Sequence, residues 1–292
     1  MLFEAAVDLS WIQSLRVLHA ITEAGFTLQV APEHEIRIRA LKDVFGMKVE
    51  LGREAVPVLT GIVLNHLGPE TRIGEISRPI VFPKAATEYC RSRWSHDRPV
   101  HVSFAGLLTD SRRRAIENWL TISGMSEEVK IPQAPSRYRL FANKVVRRLG
   151  LAISETVSTK HMVLSFSNQG RVFPAKAWNV QYYDLLLASR FVLCPSGDFG
   201  AQGHSWTYRF FESVLCGAIP VVEEPCSAYD GFRYLSMSDP IANFDWRQDD
   251  ADFNYQLLLE RTTIDSDELR AEVLRLLKGA RHEAEAPRAA FA

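Results

Sequence analysis

Two short apolar runs, FVLCP (191–195) and AIPVV (218–222), flank a glycine-rich polar loop and an amphipathic stretch. A strand with no polar alternation is buried on both faces, and such strands joined by helices form parallel sheets. The same pattern occurs upstream. VHVSFAG (100–106) reads as a strand, LLTDSRRRAIENWLTISG as a loop and helix, and SRYRLFANKVVRRLG as a further helix. HMVLSFS (161–167) is a second strand and WNVQYYDLLLASR a helix leading into FVLCP. Thr109 or Asp110 is placed to accept hydrogen bonds from the orphan N–H groups of the first of these helices. The alternation predicts a doubly wound α/β domain over residues 98–280, with ligands at the carboxyl ends of its strands.

The first third is less regular. WIQSLRVLHAITEAG has apolar residues at helical spacing (Trp11, Leu15, Val17, Leu18, Ile21), and Gly25 is placed to end the helix. FTLQVA reads as a strand, EIRIRALKDVFG as a helix, and VPVLTG and IVLNHL as weaker strands. The polar, proline-containing SRWSHDRPV marks a boundary near residues 92–98. The expected organisation is therefore a smaller α/β domain (1–97), the larger sheet domain (98–280), and an Ala/Glu/Arg-rich tail (281–292).

Charge and length exclude several classes. The 292 residues carry 34 Lys and Arg against 35 Asp and Glu, so no overall positive field gathers nucleic acid or anionic lipid. The basic run SRRRA (111–115) has no interleaved aromatics to stack on bases. No apolar run approaches the roughly 18 residues that would span a bilayer, and the start, with Glu4 and Asp8 and no basic leader, is a poor signal peptide. Cys90, Cys194, Cys216 and Cys226 form no CxxC pair, and Cys194 and Cys216 sit inside apolar runs as buried thiols do. A reducing, cytoplasmic location is expected.

The loop after FVLCP holds Gly197, Gly200 and Gly203, which let backbone approach a ligand closely. It feeds a helix numbered from Ser205, whose N-terminus favours an anion. At 100° per residue, Arg209 and Glu212 fall within about 40° of Ser205, so a hydroxyl, a guanidinium and a carboxylate share one face. Taken alone, that face is equally that of a solvated surface helix with an i,i+3 ion pair contributing about 0.3 kcal/mol. With the glycine loop, it suits a nucleoside diphosphate: Arg209 for phosphate oxygens, Glu212 for ribose hydroxyls. No Gly-Lys-Ser/Thr follows the loop, and the glycines are three apart throughout, so neither a Walker A nor a G-x-G-x-x-G motif is present.

From Leu185 to Glu224 the order Cys-Pro-x-Gly, Tyr-Arg-x-x-Glu, Gly-x-Ile-Pro-Val-Val resembles the signature of the exostosin-type glycosyltransferases of the GT-B superfamily, with a weaker echo at VSFAGLLTDSRRR. The resemblance implies two Rossmann-like domains, a reduced N-terminal one on the acceptor side and a C-terminal one holding the nucleotide-sugar. It assigns Arg209 to the diphosphate and Glu212 to the ribose, with Ser196, Gly197 and Ser205 in the phosphate loop and Arg112 or Arg114 on its other side. Many members have a glutamate eight residues before the ribose-binding one; here that position is His204, a candidate donor to phosphate or sugar.

The implied reaction is transfer of a sugar to a hydroxyl of a saccharide acceptor in polysaccharide or glycoconjugate synthesis, with inversion and without metal. The base that takes the acceptor proton is sought among Asp8, Glu33 and His34, with Asp198 and His204 as alternatives. Asp249, Asp250 and Asp252 precede a helical pattern and read as its N-terminal cap, and no DxD follows an apolar strand, so no metal or other cofactor is expected. Trp178, Tyr182 and Tyr183 read as packing residues. The expected partners are a nucleotide-sugar donor and a saccharide acceptor; peripheral membrane association and homo-oligomerisation are left open. Two other readings stay in play: a non-catalytic sugar- or nucleotide-binding relative, and a fucosyltransferase-type enzyme.

Overall fold

The computed structural model describes residues 1–65, 67–132, 138, 142, 154–167, 178–197 and 205–285. Contacts divide the chain into two units. The first comprises Met1–Ala86, Trp178 and the chain from Arg261 onward; the second lies between Thr87 and Glu260. This differs from the contiguous split at 97/98, because the C-terminal helix belongs with the N-terminal residues.

In the first unit, β1 (Leu2–Ala5), α1 (Ile12–Glu23), β2 (Thr27–Val30), α2 (Glu35–Phe45), β3 (Val49–Leu51) and β4 (Val58–Leu59) build a parallel sheet in the order β3-β2-β1-β4. A three-stranded antiparallel sheet follows: β5 (Ile62–Asn65), β6 (Glu70–Ile73) and β7 (Ile76–Arg78). Gly25 and Gly46 close α1 and α2 with φ of 96° and 66°. The apolar stripe of α1 is buried except Trp11, which precedes the helix and is 46% exposed. Its other face is also buried, including Gln13, Ser14 and His19. Burial holds the His19 imidazole at about 4, so it is neutral near pH 7.

The second unit contains α3 (Lys84–Ser92, beginning in the first unit), β8 (Val100–Leu107), α4 (Asp110–Ile122), β9 (Ser154–Ser158), β10 (Met162–Ser167), α5 (Val180–Leu187), β11 (Ser189–Cys194), α6 (Tyr208–Leu215), β12 (Ile219–Val222), β13 (Leu235–Ser236) and α7 (Gln248–Thr262). The helix α8 (Ser266–Glu285) returns to the first unit. The six-stranded sheet runs β13-β12-β11-β8-β10-β9, with only β9 antiparallel. Counting the parallel strands in chain order, this is 2-1-3-4-5. The order reverses between β8 and β11, and a doubly wound sheet opens its ligand crevice at the carboxyl side of such a point.

The apolar strands fill both faces as their sequences require. Phe104, Phe166, Phe191, Leu193 and Val221 pack with Ile116 and Trp119 of α4 and with Phe244, all at 7% exposure or less. Thr109 caps α4, its side chain accepting from the Arg112 N–H. Most of the helix predicted over SRYRLFANKVVRRLG lies outside the described residues.

Candidate functional site

The site is described at the carboxyl ends of β8 and β11, where the strand order reverses. α6 begins three residues later than the sequence predicts: Thr207 is its N-cap, and Ser205 and Trp206 stand outside the helix. The Thr207 N–H donates to the Tyr229 hydroxyl at 2.6 Å, fixing the entry of the chain into the helix. Tyr229 in turn stacks on Phe210, ring centroids 3.8 Å apart.

The face carrying Arg209 and Glu212 is not a solvated one. Every residue of α6 from Arg209 to Leu215 is buried. The physical reason is that Arg209 and Glu212 hydrogen-bond to other elements of the fold, β8 and α5, rather than to water. Arg209 Nε donates to the Ala105 carbonyl at 3.0 Å, near the end of β8, and the guanidinium lies over the Phe104 ring at 4.5 Å. Among the described residues, its Nη1 is buried without a hydrogen-bond partner. Glu212 accepts from the Tyr182 hydroxyl at 2.6 Å and has no exposed surface. Ser213 Oγ donates back to the Arg209 carbonyl at 2.6 Å.

Two glycines make room at this point. A Cβ on Gly106 would stand 2.1 Å from Arg209 Nη2, so only glycine lets the guanidinium lie across the strand end. Gly197 has φ of 80°, and a Cβ there would meet Arg112 Nε at 2.6 Å. Arg112 also donates from Nη1 to the Leu107 carbonyl at 3.2 Å. Thus Arg112 and Gly197 adjoin the end of β8, which Arg209 also reaches. Ser196 is buried beside them. Its Oγ donates to the Ser205 carbonyl at 2.9 Å and its N–H to Glu223 Oε2 at 3.1 Å. The first of these bonds ties together the two flanks of the glycine loop.

Other expected residues are placed differently. Arg114 is exposed, and its Nε donates to the Asp110 carbonyl of its own helix. Asp198, Gly200, Gly203 and His204 lie outside the described residues. In the first unit, Asp8 and His34 line one cavity of about 230 Å³ with Glu4, Gln29 and Arg37, at the ends of β1 and β2. The Ser10 hydroxyl and N–H hold the Asp8 carboxyl below its usual range, at 2.6 and 2.7 Å. Glu33 does not line this cavity; it is exposed and paired with Arg53 at 2.9 Å. Asp249 and Asp250 occupy the first turn of α7, while Asp250 and Asp252 pair with Arg233 and Arg91. Among the described residues, no group of three His, Cys, Asp or Glu is arranged to hold a metal, and no helix is long and apolar enough to cross a membrane. Cys194 and Cys216 are buried, and burial pushes the Cys194 thiol up to about 12, leaving it a packing group.

Two contributors escaped the sequence reading. Gly106 carried a signal, since a lone glycine in an apolar strand marks a bulge or a close approach. Glu223, at the end of β12, carried none: its partner Ser196 is distant in sequence and only the sheet brings them together.

No protein-family model and no curated protein sequence matches the chain. Among solved structures, the crystal structure of AviGT4, a glycosyltransferase involved in Avilamycin A biosynthesis, is similar over 97% of this chain and 96% of that one, at 13% identity and a TM-score of 0.37. At that level the likeness carries no weight for the site, and the functional reading rests on the residues themselves.

Proposed function

We propose that the second unit binds the diphosphate of a nucleotide-sugar at the carboxyl ends of β8 and β11, and that the protein is a glycosyltransferase acting on a saccharide hydroxyl. The observation that carries this reading is Arg209, a guanidinium 3% exposed whose Nη1 has no partner among the described residues, held at a topological switch point. A buried donor without an acceptor is unfavourable by about 1–3 kcal/mol, more for a charged group, and a bound phosphate oxygen would relieve it.

Arg112 flanks the same strand end and supplies a second cation. The start of α6 adds the positive end of its dipole, and Gly106 and Gly197 keep side chains out of the space. As the glycosidic bond to the donor breaks, charge grows on the leaving diphosphate; these groups are already oriented to stabilise it, which is the part of catalysis this unit would supply. In this reading the reaction inverts and takes its charge stabilisation from arginine rather than metal. Glu212 reaches a ribose only if Tyr182 shares its carboxylate. The acceptor hydroxyl is assigned to the cavity of the first unit, with His34 and Asp8 as the candidates to take its proton.

One observation favours a second reading, a nucleotide- or sugar-binding protein without turnover. Glu212 is engaged by Tyr182 and fully enclosed, and Asp8 is held as a weak base by Ser10. A nucleotide-release assay across common nucleotide-sugars separates the two. For the site itself, calorimetric titration of nucleoside diphosphates into wild type and Arg209→Ala is decisive. Loss of binding with an unchanged circular dichroism spectrum is expected; equal affinity of both proteins for every common nucleoside diphosphate would discard the assignment.

A further inference from the structure

The opposite, amino-terminal end of the same sheet holds a second concentration of positive charge. The register pairs Met162 with Val102 and sets Ser189 and Phe191 against Val100 and Val102. His161, His101 and Arg190 therefore stand in one row across three adjacent strands. Neighbouring strands are about 4.8 Å apart. Like charges at that spacing repel, so the row opposes folding whenever its histidines are protonated and nothing negative lies across it.

These three residues line a single cavity of about 450 Å³ together with Asp97, Arg98 and Pro99. Arg98 is 1% exposed. Its Nη atoms donate to the carbonyls of Leu187, Ser189 and Cys216, each at 2.9 Å, while its Nε is buried without a partner. Among the described residues, Asp97 is the one carboxylate in the lining, set against two arginines and two imidazoles. With neutral histidines these described groups carry one net positive charge, and with both protonated, three.

From this arrangement we infer a second ligand site, for a phosphate-type dianion, at the amino end of the sheet and separate from the carboxyl-end crevice. The Arg190 fork, the Arg98 Nε–H and imidazole N–H groups together offer donors to several oxygens of a tetrahedral anion, a geometry lysine would match less well. The cavity exceeds a bare phosphate, so a phosphate ester of a small polyol or sugar also fits its volume.

The groups around His101 disfavour its protonated form. Burial lowers its pKa, the Arg190 and His161 cations lower it further, and the Ile241 carbonyl opposes them. A bound dianion reverses the sign of the electrostatic contribution. It should raise the His101 pKa and bind more tightly as pH falls through the ordinary histidine range, about 5.5–7.5.

The experiment is an NMR titration of the histidine ring signals of the full chain with inorganic phosphate, a hexose phosphate and sodium chloride at matched ionic strength. Both phosphate compounds are expected to shift the ring signals of His101 and His161 and to raise the His101 titration midpoint, with chloride inert. Tighter binding of the hexose phosphate identifies a phosphorylated small molecule as the occupant; equal binding identifies inorganic phosphate. Arg190→Gln, at an exposed position, should weaken phosphate about tenfold without changing thermal melting in phosphate-free buffer at about pH 8, above the ordinary histidine range. Failure of either phosphate compound to move the two histidines beyond the chloride control overturns the inference, as does unchanged affinity in Arg190→Gln.

Discussion

The two ends of the six-stranded sheet each hold a buried arginine, and the two are used differently. Arg98, at the amino end, sends its Nη atoms to three main-chain carbonyls and sits near the rings of Trp94 and Trp246. Arg209, near the carboxyl end of β8, makes one bond through Nε to Ala105 and leaves Nη1 idle. Burial alone does not separate them, since both are 3% exposed or less. The difference lies in how many donors the protein itself satisfies. Arg98 commits both Nη atoms to fastening strands and helices together and, among the described residues, leaves only Nε unpartnered; Arg209 commits Nε and leaves Nη1, at the tip of its fork, to meet a ligand.

The largest expected effect tests that contrast directly. Arg98→Ala strands three carbonyls and opens a cavity, and should destabilise by about 3 kcal/mol or more in urea unfolding. Arg209→Ala should be the milder change in stability but the severe one in function, lowering nucleoside diphosphate affinity about tenfold or more by calorimetry. If the stability losses come out in the reverse order, the distinction between the two arginines fails.

Gly106→Ala sharpens the comparison from the backbone side. Its Cβ would collide with Arg209 Nη2 and displace the guanidinium. Nucleotide affinity should fall to near that of Arg209→Ala while the melting temperature changes little; unaltered affinity would remove Arg209 from the phosphate site. Tyr182→Phe addresses the neighbouring carboxylate. It withdraws one donor from a Glu212 with no exposed surface and should cost about 1–3 kcal/mol in the same unfolding measurement.

The smallest effect is the pH dependence of the amino end. His101 has a folded pKa below its unfolded value, so its contribution to stability is present above the unfolded pKa, about 6.5, and is lost as pH falls below that value. Arg190→Gln removes one of the causes and should flatten the acid-side slope of urea stability. An identical slope in the variant would show that Arg190 does not act on the row.

Much of the second unit was legible because its strands are continuous apolar runs. VHVSFAG, HMVLSFS, FVLCP and AIPVV each correspond to a strand within a residue or two, since a segment apolar on both faces has few places to go other than the middle of a parallel sheet. The first unit was harder. β3 and β7 are three residues long, too short for periodicity to register. Trp11 shows the limit of a helical stripe: it fits the spacing of Leu15 and Leu18, yet stands at the N-cap, outside the buried turn.

What the sequence determined by itself is the alternation of buried strand and helix, and the places where glycine breaks it. Hydrophobic burial is additive along a segment, so its pattern survives in one dimension. The tertiary structure alone decided where the polar groups went. Arg209 finds Ala105, Glu212 finds Tyr182, Ser196 finds Glu223, and His101 stands between His161 and Arg190. Hydrogen bonds and charge repulsion act over a few ångströms and depend on direction, so strand order and register have to be in place before either can be read.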